Sequence, residues 1–167
     1  TDTSMGDDGR IASPVILTGS GVTSNSDSAL YVTAPGDPST LVLLARENEQ
    51  VPGQEAGVLY GDLTVPSWTP EGDLIARTIL RGTDITTAND IAFVRYSQGA
   101  GAPNIFLREG SAIPGPDADA ATLFFPLQTN GRDLAFYASL AGGATSAPCI
   151  CVGPRNGAGP YRTLALR

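Results

Sequence analysis

The stretch Trp68-Thr-Pro-Glu-Gly-Asp-Leu-Ile-Ala76 decides the fold, because related stretches occur at Met5-Gly-Asp-Asp-Gly-Arg-Ile-Ala12 and at Leu127-Gln-Thr-Asn-Gly-Arg-Asp-Leu-Ala135. The glycines that anchor the three stretches stand 63 and 59 residues apart, at Gly9, Gly72 and Gly131. Self-similarity at a near-constant spacing is typical of repeat architectures. The sequence therefore predicts one repeat domain over residues 1–167, with units at about 1–53, 54–115 and 116–167.

Other landmarks keep step with the anchor glycines. A second glycine follows each anchor after ten or eleven residues, at Gly19, Gly82 and Gly142. An arginine stands 37, 36 and 36 residues after the anchors, at Arg46, Arg108 and Arg167. Two units then close with the related stretches Val51-Pro-Gly53 and Ile113-Pro-Gly115. This agreement between independent landmarks supports three copies of one unit.

Short apolar runs bounded by Gly, Asp, Asn or Pro fill each unit, and this is the pattern of β-strands. Four strands fit each unit, at 1–5, 11–17, 29–33 and 41–46, at 58–68, 74–80, 91–96 and 104–108, and at 123–127, 134–140, 149–152 and 161–166. Tight turns are expected between the first and second strands, at Asp8-Gly9, Glu71-Gly72 and Asn130-Gly131, because glycine adopts positive φ without steric cost. The 20 glycines and 13 prolines agree with a chain rich in turns.

The predicted fold is all-β, with three four-stranded antiparallel meanders that resemble β-propeller blades. A β-prism and a β-trefoil are the alternatives. Because propellers usually close with about 4–8 blades, three blades would be half or part of a ring. We expect a second copy of the chain, or further blades, to complete that ring.

The charged residues exclude several functions. The chain has no histidine, and all ten of its Lys and Arg residues are arginines. This composition excludes Ser-His-Asp chemistry, imidazole zinc sites and lysine Schiff bases. The formal net charge of −7 disfavours nucleic acid as a partner, since phosphate recognition needs a basic face. No apolar run is long enough to span a membrane.

Several stretches carry a resemblance to known families. Asn130-Gly-Arg-Asp-Leu-Ala-Phe136 and the segment from Pro66 to Ala76, followed by Leu107-Arg-Glu-Gly110 and Ile113-Pro-Gly115, resemble the bacterial tandem repeats that have an NxxGxxAF signature. The segment from Trp68 to Ala76 is also similar to the propeller repeat of the periplasmic Tol system. The resemblance implies an exported protein, extracellular or at the cell surface, with the periplasm as an alternative. It brings no catalytic motif with it.

The recurring arginines and two aromatic residues are the candidates for ligand binding. Arg46, Arg108 and Arg167 could bind carboxylate or sulfate groups as a ring of guanidinium groups. Their recurrence in every unit favours instead a structural role, as ion pairs between blades or at an edge. Trp68 and Tyr96 could stack on sugar rings, although Trp68 more simply fills the space between blades.

Acidic pairs and two cysteines are the remaining candidates. Residues two apart on an extended segment share a face, so the pair Glu71 and Asp73, or the pair Asp117 and Asp119, could bind Ca²⁺. The simpler interpretation is solvated turn residues, with no cofactor. Cys149 and Cys151 could form a strained or intermolecular disulfide, or they could pack as small apolar side chains.

These observations favour a non-enzymatic, exported repeat module for assembly, adhesion or protein interaction at the bacterial cell surface. Its partners would be itself or further blades, and glycans or other surface proteins as well. A glycan-binding lectin is the first alternative. A glycan-cleaving enzyme that uses paired carboxylates is the second, since that chemistry needs only Asp and Glu.

Overall fold

The computed structural model describes residues 3–98, 101–115, 119–129, 133–141, 148–154 and 159–165, with the backbone alone at Val65, 119–129 and Ala165. The described chain is all-β, as predicted, and consists of twelve strands in three four-stranded antiparallel sheets. In each sheet every strand pairs with its neighbour in sequence, so that each sheet is a meander.

The strand bounds follow the repeat units. Sheet one contains β1 (Ser4–Met5), β2 (Ile11–Ile16), β3 (Ser28–Ala34) and β4 (Asp37–Arg46). Sheet two contains β5 (Leu59–Trp68), β6 (Leu74–Arg81), β7 (Ile91–Tyr96) and β8 (Asn104–Arg108). Sheet three contains β9 (Asp119–Thr129), β10 (Asp133–Ala141), β11 (Pro148–Pro154) and β12 (Arg162–Ala165). The prediction of three four-stranded meanders is confirmed.

The turn that opens each unit has the same geometry in the first two units. Gly9 and Gly72 have φ angles of 81° and 82°. The N–H of Gly9 donates to the carbonyl of Gly6 at 3.0 Å, and the N–H of Gly72 donates to that of Thr69 at 2.8 Å. The predicted turns at Asp8-Gly9 and Glu71-Gly72 are thus confirmed. The turn expected at Asn130-Gly131 lies outside the described residues, as do the glycine at 142 and the terminal strand residue 166.

The three sheets stack face to face, with sheet two in the middle. One core lies between sheets one and two, and its largest side chains are Leu30, Tyr60, Leu63, Leu74, Leu80 and Tyr96. A second core lies between sheets two and three, formed by residues that include Ile75, Phe93, Leu107, Leu134, Phe136 and Tyr161. The rings of Phe93 and Phe136 meet edge to face at 5.6 Å across this second core. Sheet two is therefore buried on both faces.

Burial alternates along the strands as the period of two requires. Along β10 the residues Leu134, Phe136, Ala138 and Leu140 are buried, and those between them are half-buried. On β6 the same alternation sends Leu74 and Ala76 toward sheet one and Ile75 toward sheet three. The first strands of neighbouring sheets, β1 with β5 and β5 with β9, lie in contact.

Strand β4 begins earlier than its apolar run predicts. The strand was expected from Leu41, but pairing starts with Asp37 opposite Ala34, directly after a two-residue loop at Pro35 and Gly36. The carboxylate of Asp37 accepts bonds from the hydroxyls of Ser39 and Thr40, both at 2.6 Å. These hydrogen bonds, with that of Ser39 the strongest, lower the pKa of Asp37 to about 2.

Candidate functional site

A cleft opens where the β1–β2 turn meets the β5–β6 turn, at one end of the interface between sheets one and two. It has a volume of about 360 Å³ and is lined by Asp7, Asp8, Thr69, Pro70, Glu71, Gly72 and Gln98. Because β1 and β5 are neighbours, the turns that follow them come together. Two acidic stretches 63 residues apart in sequence thus share one site.

Arg10 joins the two turns beneath this cleft. Its Nε donates to Asp8 Oδ2 at 2.7 Å, and its Nη2 donates to the carbonyl of Gly72 at 3.0 Å. The N–H of Arg10 also donates to Asp8, and this bond lowers the pKa of the Asp8 carboxyl, with the guanidinium adding to the effect. Arg10 is only 8% exposed, so it acts as a connector between sheets.

Trp68 lies between sheets one and two. The guanidinium of Arg10 covers its ring at 4.5 Å from the ring centroid, which is the geometry of a cation–π contact. Its indole N–H donates to the carbonyl of Ser4 at 3.2 Å. A side chain at Gly6 would come within 3.2 Å of the ring. This position agrees with the interpretation that Trp68 fills the space between sheets. Arg10 covers one face of the indole ring, on which a sugar ring would otherwise stack.

Tyr96 is a core residue. It is 6% exposed and belongs to the cluster between sheets one and two. Burial raises its pKa well above the ordinary value, and the neighbouring Tyr60 adds to this effect. This burial does not favour the predicted ligand role of Tyr96, because little of its side chain is accessible to solvent.

Asp73 is engaged away from the cleft. Its Oδ2 accepts from Arg95 Nε at 2.8 Å and from Arg95 Nη2, and its Oδ1 accepts from the N–H of Gln98 at 3.0 Å. Glu71 lines the cleft, whereas Asp73 is 6% exposed. The two carboxylates therefore do not face one cation together. The prediction assumed an extended segment, but residues 69–73 form a turn.

The other metal candidates remain predictions. Asp117 lies outside the described residues, and of Asp119 the backbone alone is described. Among the side chains that the structure does describe, no group of three or more His, Cys, Asp or Glu residues is close enough to hold a metal ion.

Arg46 and Arg108 bind the backbone of their own sheets. Nε and Nη2 of Arg46 donate to the carbonyl of Ser26, both at 3.3 Å. Nε of Arg108 donates to the carbonyl of Asn89 at 2.8 Å. Each carbonyl belongs to the residue two positions before the third strand of its sheet, so the contact is the same in these two units. It is a hydrogen bond within a sheet, whereas an ion pair between blades or at an edge was expected. Arg167 lies outside the described residues.

The glutamates that follow Arg46 and Arg108 cap the third strands of their sheets, a role that was not predicted from the sequence. Glu47 Oε2 accepts from the N–H groups of Asp27 and Ser28, both at 3.1 Å. Glu109 Oε2 accepts from the N–H of Ile91 at 3.3 Å. The two glutamates are 1% and 2% exposed. The recurring Arg-Glu pair was the available signal.

Glu47 also connects two sheets. Its Oε1 lies 2.6 Å from Nη1 of Arg81, at the end of β6 in sheet two. The hydroxyl oxygen of Ser28, whose backbone N–H donates to Glu47, accepts a hydrogen bond from the N–H of Leu63 in β5 at 3.2 Å. The corner around Glu47 therefore fixes sheet one internally and ties it to β5 and β6.

Cys149 and Cys151 are free thiols that lie side by side on β11. Their sulfur atoms are 3.8 Å apart, and both side chains face the core between sheets two and three. Burial, together with the neighbouring Cys149, raises the pKa of the Cys151 thiol to about 12. This geometry agrees with packing as small apolar side chains.

Compared with models of protein families, with curated proteins and with solved structures, the chain matches none. The resemblance to the NxxGxxAF repeats thus stays a prediction from the motifs themselves. Within the described ranges, the chain forms no helix of the length and apolarity that crossing a membrane requires.

Proposed function

We propose that the chain is a non-enzymatic, β-propeller-like repeat module that serves assembly, adhesion or protein interaction at the bacterial cell surface. The observation that carries this proposal is a partly exposed apolar surface on sheet one. We call it the sheet-one outer face, and its exposed or half-buried members are Ile11, Ser13, Val15, Tyr31, Leu41 and Leu43. Ile11, Leu41 and Leu43 are 39%, 62% and 42% exposed.

The register of sheet one places these side chains together. Tyr31 pairs with both Ser13 and Leu43, and Thr33 pairs with Leu41. Directly paired residues of a sheet point to the same face, and their neighbours along the strand point to the other. The opposite face, with Ala12 and Leu30, packs on sheet two. Exposed apolar surfaces of this kind mark interaction sites.

The arrangement of the sheets supports the propeller part of the proposal. Blades are four-stranded antiparallel sheets that pack face to face, with their first strands next to one another. The three meanders stack in this way, and β5 contacts both β1 and β9. The surface location rests on the resemblance to exported bacterial repeats.

The engagement of the carboxylates supports a role other than catalysis. Asp8 forms an ion pair with Arg10, and Asp73 forms one with Arg95. The carboxylate of Glu47 accepts hydrogen bonds from backbone N–H groups. A carboxylate held in this way by a cation or by backbone amides is committed to contacts that support the fold.

The mass of the chain in solution tests the proposal. We expect light scattering after size exclusion to give more than the mass of one chain as the concentration rises from low to high micromolar values. Removing apolar surface by the substitution Leu43→Glu should reverse this association. A chain that stays monomeric over the whole range would refute an assembly role.

A further inference from the structure

The hydrogen bonds of the first two units fix which residues correspond. The N–H of Leu17 donates to the carbonyl of Asp27, and the N–H of Leu80 donates to that of Asp90. Leu80 and Asp90 stand 63 residues after Leu17 and Asp27, so β2 and β3 match β6 and β7 at that offset. The pairs Arg46-Glu47 and Arg108-Glu109 correspond at an offset of 62, which aligns β4 with β8.

Corresponding residues differ sharply in exposure. Ile11 is 39% exposed, but its counterpart Leu74 is 1% exposed. Tyr31 is half-buried, whereas its counterpart Val94 is fully buried. Leu74 and Val94 belong to the core against sheet one. The sheet-one outer face is thus the counterpart of a face that, in sheet two, is covered by the preceding sheet.

The other end of the stack has the complementary surface. We call it the sheet-three outer face. Its apolar members are Ala135, Tyr137, Ile150, Val152 and Leu164, and the exposed Arg162 lies on it opposite Val152. Tyr137 pairs with Ile150, and Ile150 pairs with Leu164, while the alternate residues Cys149 and Cys151 face sheet two.

Fourth-strand leucines show the same contrast in exposure at this end. On the face toward the next sheet, Leu107 of sheet two is 5% exposed because sheet three covers it. Leu164 of sheet three, on the same side of its sheet, is 55% exposed. The chain therefore carries both halves of an interface that it already forms twice internally.

We propose that two copies of the chain close head to tail, with the sheet-three outer face of each copy packed on the sheet-one outer face of the other. This inference rests on the proposed function and names its partner. Two such contacts close under twofold symmetry and give six stacked sheets, within the usual range of about 4–8 blades. The occupant of each apolar face is thus a second copy of this chain.

Two oppositely charged substitutions test the arrangement. Leu43→Glu changes the sheet-one outer face, and Leu164→Arg changes the sheet-three outer face. Each variant alone places an unpaired charge in both contacts of its dimer, so we expect its dissociation constant to rise by about a hundredfold or more. A mixture of the two variants forms a dimer with one Glu–Arg contact and one unaltered contact. We therefore expect the mixture to recover dimers that contain one chain of each kind.

Native mass spectrometry of chains with different masses identifies the mixed dimer, and Val42→Glu is the control. Val42 is 42% exposed, the same as Leu43, but it pairs with Val32 on the other face of sheet one. Dimers of Val42→Glu and recovery in the mixture would support the inference. Association without recovery in the mixture, or growth into open polymers, would overturn the head-to-tail pair and leave an assembly role standing. A monomeric unmodified chain would overturn both.

Discussion

Replacing Glu47 by alanine should destabilise the fold strongly, although Glu47 does not line the cleft described above and is only 1% exposed. Its carboxylate accepts two backbone N–H groups at 3.1 Å, and the N–H of Ser28 is buried. Hydrogen bonds to a charged group each contribute about 1.5–3 kcal/mol, and water can reach only the Asp27 amide in the variant, so we expect a loss of about 3 kcal/mol. The ion pair with Arg81 adds little, because Arg81 is 39% exposed at its side chain.

Urea unfolding at one fixed protein concentration measures this loss, since assembly would add to the stability. With a slope of about 2 kcal/mol per molar urea, the midpoint should fall by about 1.5 M. Glu47→Gln should lose less, because its amide oxygen still accepts both bonds. Glu49→Ala, at an exposed glutamate two residues away, is the matched control. If Glu47→Ala and Glu49→Ala differ by less than about 0.5 kcal/mol, the capping argument is wrong.

Two further outcomes follow from the packing. Gly82→Ala should destabilise the fold clearly more than Gly19→Ala in the same urea assay. Both positions have positive φ, but a Cβ at Gly82 would clash with the carbonyl oxygen of Gly57, whereas one at Gly19 meets nothing within 4 Å. Equal losses would contradict this reasoning. Stability should fall as the pH rises from 9 to about 12, because the unfolded Cys151 thiol ionises near 9 and the folded one near 12. Cys151→Ala should flatten this fall, and an unchanged profile would refute the assignment.

The repeat made most of the fold predictable from the sequence. Most strands were indicated by their own apolar runs, and the turn at Gly72 by a local need for positive φ. Because every strand pairs with its neighbour in sequence, the meanders follow from short-range rules. The start of β4 at Asp37 was missed, since its first residues are polar and pair through the hairpin loop.

The site was harder to predict, because its contacts join distant parts of the sequence. The bond from Arg10 to the Gly72 carbonyl spans 62 residues, and that from Trp68 to the Ser4 carbonyl spans 64. Which face of Tyr96 is covered depends on how two sheets dock, and no local pattern encodes that. The capping roles of Glu47 and Glu109 were missed because a glutamate is ordinarily expected at the surface.

The position of sheet two between two others determines where the sequence is free to change. Along a strand of this sheet, both sets of alternate residues face a core, as Leu74 and Ile75 do. Substitutions should therefore be harmful at every buried position of β6. In sheets one and three, one set of alternate residues faces outward. Polar substitutions should be tolerated in that set unless another molecule covers it. The leucines at 41, 43 and 164 are positions at which assembly would forbid polar residues, so a map of tolerated substitutions in cells would reveal the interface without any structure of the complex.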